Sequence, residues 1–540
     1  MMKQYAHIPN GLNHFFTICL LLMVFSAAAQ KAGKPGQKFI LIPLDDRAPC
    51  LQFTQKMGLI ANAEVIAPPI EILGNFMVPG QSDKIISWLE KQDLKSFDGA
   101  IISFDMISYG GLVASRIHHV SYEEAIKRMQ VIRRLRKMAP GLLIYGQSVI
   151  MRLAPTGDGK NEAYRENLGT WAEISVSKDK DLMSKTTALE KLIPAEALLD
   201  YKQSRKRNLA VNLEAIDFLR EGVIDYLILS QDDAKPEGIH VADRETLISK
   251  VKALALSDKI LVQPGADEIS MLLLSRALNK KFNFSPKIKA VYSSEALSNT
   301  TMPFEDRPLK RTVSFNIQAV GAKEVSVEAQ ADLLFYVYPS RFEAGRAISF
   351  AQEIEDKIKQ GKKVLVADVD PRGDVQGGDT QFTMELLKRK LFPQLQSYAS
   401  WNTAGNTIGT SLPQGVVFAL AQAKLLPSAA VNVKDNILQA QHWFTFHRVI
   451  DDYYYHTLVR SQAKKFIRDQ KWNTMDLGIE NTRKVEAYAR ELLITHFNEL
   501  SQHYKDNTFL KTSFLPSNMK FALPWRRTFE ADITFDTQTM

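Results

Sequence analysis

The chain has 540 residues, 68 Lys and Arg against 60 Asp and Glu, a formal charge of +8 and two cysteines. So mild a basic excess, with no recognition motif beside it, speaks against nucleic acid as a partner, and two cysteines exclude a disulfide-stapled module. With 45% hydrophobic residues at this length, two or three domain cores can be buried.

In chain order, Phe15–Phe25 is apolar but too short to span a bilayer, and Ser26-Ala27-Ala28-Ala29 follows it. Residues 1–29 therefore read as a cleaved signal peptide, which predicts a periplasmic or secreted protein with no stable membrane span after cleavage. Cleavage removes Cys19 and leaves only Cys50. Strand-like runs then recur: 38–44, 62–66, 99–104, 142–149, 225–230, 259–263, 288–293, 333–338, 363–368 and 395–400. Most are separated by helical patterns, the signature of α/β architecture. Residues 151–220, opening on Arg152, interrupt the rhythm as a lid-like insertion. The segment 311–327 alternates around a Gly turn and reads as a hairpin. After Pro413 the pattern is helical, with His447 and Asp451 one turn apart as a surface ion pair. The fold class expected is α/β: two doubly wound parallel-sheet lobes, 38–255 and 256–410, with a helical region over 411–540. An elaborated β/α barrel is the alternative that periodicity does not separate.

Polar and acidic residues sit where these strands end. Parallel strands open their C-termini on one sheet edge, where ligands bind. Asp46, Asp105, Asp232 and Asp267 are the candidate catalytic carboxylates, and Asp45, Arg47, Tyr109, Arg116, Arg152, Gln231, Asp233, Glu268, Asp368, Asp370, Asn402 and Thr403 candidate substrate contacts. Trp401 and Tyr109 would form a sugar platform, because indole and phenol rings offer stacking faces. Any single Asp here is equally explained as a helix N-cap. Pairs such as Asp45-Asp46 and Asp232-Asp233 exceed what one cap needs. The loop Asp368–Asp379 reads either as a carboxylate site, with or without a divalent cation, or as a capped Gly-rich turn. The Gly-rich stretch Trp401–Thr410 also fits a helix N-terminus packed closely on the sheet. No GxSxG elbow, Walker A loop, HExxH or CxxC pair is present.

The blocks LIPLDDRAPC (Leu41–Cys50), FDMISYGGLVASR (Phe104–Arg116), LSQDDA (Leu229–Ala234), QPGADE (Gln263–Glu268), DVDPRGDVQGGD, SWNTAGNTIGTSL and LPWRRTFE (Leu523–Glu530) resemble those of a bacterial family, domain of unknown function 4127. The resemblance covers nearly all of the mature chain and implies a single-family protein rather than a fusion. It carries over no catalytic residues.

Many carboxylates with Arg, Asn and aromatic neighbours, on an exported α/β chain lacking a Ser or Cys nucleophile motif, point to a glycoside hydrolase using paired carboxylates. The substrate would be a small molecule or oligosaccharide, with no cofactor. A metal-dependent hydrolase of phosphate, sulfate or amide bonds, its divalent cation held by the Asp clusters, is the first alternative. A non-catalytic solute- or glycan-binding protein is the second.

Overall fold

A computed structural model describes residues 36–505 and 512–538; the segment 1–29, read above as a signal peptide, lies outside the described residues. The first sheet is built from β1 (Gln37–Ile42), β2 (Ala63–Ile66), β3 (Gly99–Ser103), β4 (Leu143–Ile150), β5 (Tyr226–Gln231) and β6 (Ile260–Pro264), in the order β2-β1-β3-β4-β5-β6. The second is built from β7 (Lys287–Tyr292), β8 (Lys323–Glu324), β9 (Leu333–Tyr338), β10 (Val364–Asp368) and β11 (Ser397–Ala399), in the order β11-β10-β9-β7-β8. Every pairing in both is parallel. The two sheets share one winding order, in which the second strand sits outside the first and the third starts the opposite flank. Neither closes into a barrel.

Central strands covered on both faces have no solvent side, which is why β3, β5 and β9 are buried along their whole length and read as unbroken apolar runs. The helix Ile269–Lys281 follows β6 and is buried on almost every face; one continuous apolar core joins it to both sheets and to the C-terminal helices. A second core fills the opposite face of the first sheet.

All the expected strand runs form strands, but some organisation differs. Because β6 pairs with β5, the first sheet continues past the boundary expected at 255. Within the insertion, Glu162–Ile174 and Lys180–Glu190 share a small core of their own, with Leu168, Trp171 and Leu189. Ala195–Arg220 is instead the crossover helix from β4 to β5, packed on the sheet. The expected hairpin at 311–327 is mostly the helix Leu309–Ala319, followed by the short parallel β8. Leu309, Val313 and Ile317 are buried at four-residue spacing. The apparent alternation came from Phe315, which faces away from the core under the guanidinium groups of Arg307 and Arg311. Pro413 lies inside the helix Ala404–Leu420, not at its start. The region 411–540 is not purely helical either: β12 (Leu515–Ala522) and β13 (Asp532–Gln538) pair antiparallel. Their connection, 523–531, is too long to give a tight-turn signal.

Candidate active site

A cleft of about 600 Å3 lies where the C-terminal edges of both sheets meet. The first sheet lends it Arg47 after β1, Arg152 after β4, Gln231, Asp232 and Asp233 at β5, and Asp267 after β6. Arg116 comes from the end of the short helix Leu112–Ser115, beyond β3. From the second sheet come Glu305, Gln376, Asn402, Thr403 and Asn406. The helix Arg460–Asp469 and the β12–β13 connection, with Trp525, Arg527 and Phe529, cover the remaining side. Phe76, Phe304, Gln376 and Asn402 all line the cleft with left-handed backbone, φ 47°, 66°, 55° and 55°. Such conformations cost energy in non-glycine residues and gather where surrounding structure dictates loop shape.

Three guanidinium groups serve four of the carboxylates at these strand ends. Arg116 donates to Asp232 Oδ2 from Nε at 3.1 Å and Nη2 at 2.5 Å, and Arg152 donates to Asp233. Arg47 Nη2 stands between Asp45 Oδ2 at 2.6 Å and Asp267 Oδ1 at 2.7 Å. Among the described residues, Asp45, Cys50 and Asp267 are the one group close enough to ligate a metal together. The Arg47 side chain already sits between those two carboxylates, and burial holds the Cys50 thiol well above its ordinary range, keeping it protonated. The donor set therefore does not suit a cation.

The cleft carboxylates are pushed apart electrically. Burial alone would raise Asp232, but Arg116 and Arg152 overcome it and hold this carboxyl below its ordinary value, ionised. Burial, reinforced by the neighbouring Asp232 charge, keeps Asp233 above its own despite Arg152. Asp267 is raised by burial to about 6 against Arg47. Glu305, only 3% exposed, is raised by burial to about 7. Its Oε1 accepts from Gly405 N at 2.8 Å, while Oε2 has no protein partner.

Several sequence candidates stand outside the lining. Asp45 lies behind Arg47. Asp46 accepts from Trp525 Nε1 at 2.8 Å and Asn75 Nδ2 at 3.1 Å, so it fixes the β12–β13 connection rather than facing the cleft. Asp105, raised by burial to about 7, accepts from Val149 N at 2.8 Å and ties the β3 exit to β4. Tyr109 is a core residue beneath Arg207, not a wall. Trp401 is also core: its Nε1 donates to Thr410 at 3.0 Å and its ring meets Phe53 edge-on. Asp368 pairs with Arg341 and accepts from Asp379 N. Asp370 accepts from the backbone N–H groups of Arg372, Gly373, Val375 and Gln376, so the loop is a carboxylate-organised turn, with Asp379 capping the next helix as expected. His447 and Asp451 are buried, not a surface pair: His447 Nε2 bonds Ile533 O, and Asp451 pairs with Arg448.

Glu268 lies beneath the cleft, accepting from Asn406 Nδ2 at 2.7 Å, and burial raises it to about 8. It is gripped by glycines. A Cβ on Gly265 (φ +110°) would stand 1.7 Å from Glu268 Oε1, and one on Gly409 2.2 Å from its Cγ. The close-packed reading of the 401–410 stretch therefore holds, with Thr403 as the N-cap. Gly409→Ala is expected to cost about 1–3 kcal/mol of stability in chemical denaturation, because the buried Glu268 has nowhere to move. The roughly 1 kcal/mol of helix propensity gained does not offset it.

Buried titratable groups also fix the pH dependence of stability. Burial raises Asp105 and Glu305 to about 7, and Glu268 and Asp452 to about 8. The folded protein thus holds protons that the unfolded chain has already released, and this stabilisation is lost as pH rises through those values. Burial lowers the imidazoles of His240 and His442 to about 4, and holds those of His447 and His456 well below their ordinary range. Their effect has the opposite sign, but it fades as pH rises above their ordinary value of 6.5. Between pH 6.5 and 7.5 these four carboxyl groups outweigh the fading histidine contribution and the onset of Lys464 deprotonation, so the melting temperature should fall across that interval; a flat or rising profile would contradict the assignment.

Sequence reasoning missed Glu305, the cations of the 460–469 helix and the 525–529 loop. Glu305 stands far beyond the β7 exit in an irregular segment, with no strand-end pattern to mark it. The chain belongs to the family described as protein of unknown function DUF4127, which matches residues 39–534. No curated protein matches it.

Proposed function

We propose that the protein is an exported glycoside hydrolase in which Glu305 is the proton donor and Asp232 the ionised carboxylate. The observation that carries this reading is the electrical split between these two cleft carboxylates: one kept neutral by burial, the other kept charged by Arg116. Glycosidic cleavage needs this division of labour. Glu305 Oε2 gives its proton to the leaving oxygen, and Asp232 attacks the anomeric carbon or takes the proton of an attacking water. Gln231, whose Oε1 has no protein partner, with Asn402 and Thr403, offers hydrogen bonds for sugar hydroxyls. Phe304, exposed at the cleft wall beside Glu305, replaces Trp401 as the stacking surface. The metal-dependent alternative is not favoured, because Arg side chains occupy the carboxylate pairs it would use. The test is reducing-end release from a panel of neutral and acidic glycans. Release supports the reading, and a folded protein inert across the panel overturns it.

A further inference from the structure

The cleft's charges do not cancel. Arg47, Arg116, Arg152 and Arg527 each face a carboxylate within ion-pair distance. Arg165, Arg460, Lys464 and Arg468 line the same cleft, and none has a carboxylate within that distance among the described residues. Arg460, Lys464 and Arg468 recur every fourth residue along one helix, so their side chains share the face turned to the cleft. Arg460 is only 5% exposed, and its Nε is buried with no hydrogen-bond partner. A buried, unsatisfied guanidinium N–H costs free energy unless something accepts from it. Lys464 is held down to about 8, by burial first and then by repulsion from Arg460 and Arg468. These groups repel one another, and an anion between them would relieve both the repulsion and the orphaned donor.

We infer that this helix face is a subsite for an anionic group, so that the substrate is an acidic oligosaccharide carrying carboxylate or sulfate. The inference rests on the glycosidase reading of the neighbouring carboxylates, and it names the class of glycan that reading leaves open. A neutral glycan would leave the subsite's cations unpaired, whereas a uronate carboxylate or a sulfate ester would satisfy Arg460 while its glycosidic bond lies toward Glu305 and Asp232.

Binding and cleavage separate the two ideas. The full mature chain carrying Glu305→Gln would be titrated calorimetrically with oligogalacturonate, with a sulfated chondroitin oligosaccharide, and with uncharged chito- and cello-oligosaccharides. The expected result is binding of at least one acidic probe, weakening with salt, and no comparable binding of the neutral ones. Which acidic probe binds distinguishes carboxylate from sulfate. Lys464→Gln and Arg468→Gln, at half-buried and exposed positions that should not disturb folding, are each expected to raise Kd about tenfold or more. Neutral glycans bound or cleaved as well as acidic ones would overturn the anionic subsite and leave the hydrolase reading standing. Acidic probes bound through Lys464 and Arg468, but never cleaved by the unsubstituted chain, would uphold the subsite and defeat the hydrolase.

Discussion

Glu305→Gln is expected to lower turnover about 10^3-fold or more while leaving the melting temperature nearly unchanged. Gln preserves the shape and the acceptor for Gly405 N, so the local packing survives. What it removes is the acidic proton that burial keeps on the carboxyl up to about pH 7. The signature of a proton donor, rather than of a binding residue, is selective rescue: substrates with good leaving groups should lose far less than natural glycosides. Asp232→Asn should also abolish turnover, but without rescue by leaving group, because the missing charge acts at the anomeric carbon. The Asn variant also leaves Arg116 without its counter-ion, so some destabilisation is expected there and not in Glu305→Gln. An active Glu305→Gln with ordinary glycosides would remove Glu305 from the chemistry.

The largest stability effect is expected outside the cleft lining, at Arg448. This guanidinium is fully buried, pairs with Asp451 and Asp452 at 2.8 Å each, and lies 3.7 Å over the ring of Phe53. One cation thus serves two carboxylates in a dry interior, and burial raises both, Asp452 to about 8. Arg448→Met removes the only cation in the group and leaves both acids without a counter-ion, an expected loss of about 3–5 kcal/mol. The damage should reach the cleft, because Asp452 Oδ2 also accepts from Ser400 N at 2.6 Å, directly before the loop that carries Asn402 and Thr403. Adding Asp451→Asn to the Met variant should recover part of the loss, since it removes one unpaired acid. Denaturant titration decides: an unchanged midpoint for Arg448→Met would mean the group is not electrostatically coupled.

The parallel strands were legible because burial on both faces makes them continuous apolar runs, a signal that depends on little else. Their end residues were legible as a set for the same reason: strand C-termini share an edge, so Arg47, Asp232, Asp233, Asp267 and Asn402 could be placed together without knowing the fold in detail. The division within that set was not legible. Asp46 and Asp105 follow strands just as Asp232 does, yet Trp525 and Val149 claim them; those partners come from distant sequence or an adjacent strand, and no local pattern encodes the choice. Trp401 looked like a platform because indoles often are, but a tight helix packed through its glycines pulls it into the core. Glu305 and the 460–468 cations reach the cleft through tertiary packing of irregular and helical segments, where periodicity reports only which face is apolar. The β12–β13 hairpin was hidden by its long connection, the segment that brings Trp525 and Arg527 to the site.

The most direct test of the central claim is the fate of water oxygen. The protein would be incubated in 18O-enriched water with an acidic oligosaccharide that it binds, and the products weighed by mass spectrometry. The account predicts one 18O atom at the anomeric carbon of each new reducing end, and none with Glu305→Gln over the same interval. Unsaturated products without the label, or intact substrate beside a demonstrably folded and ligand-bound protein, would contradict it.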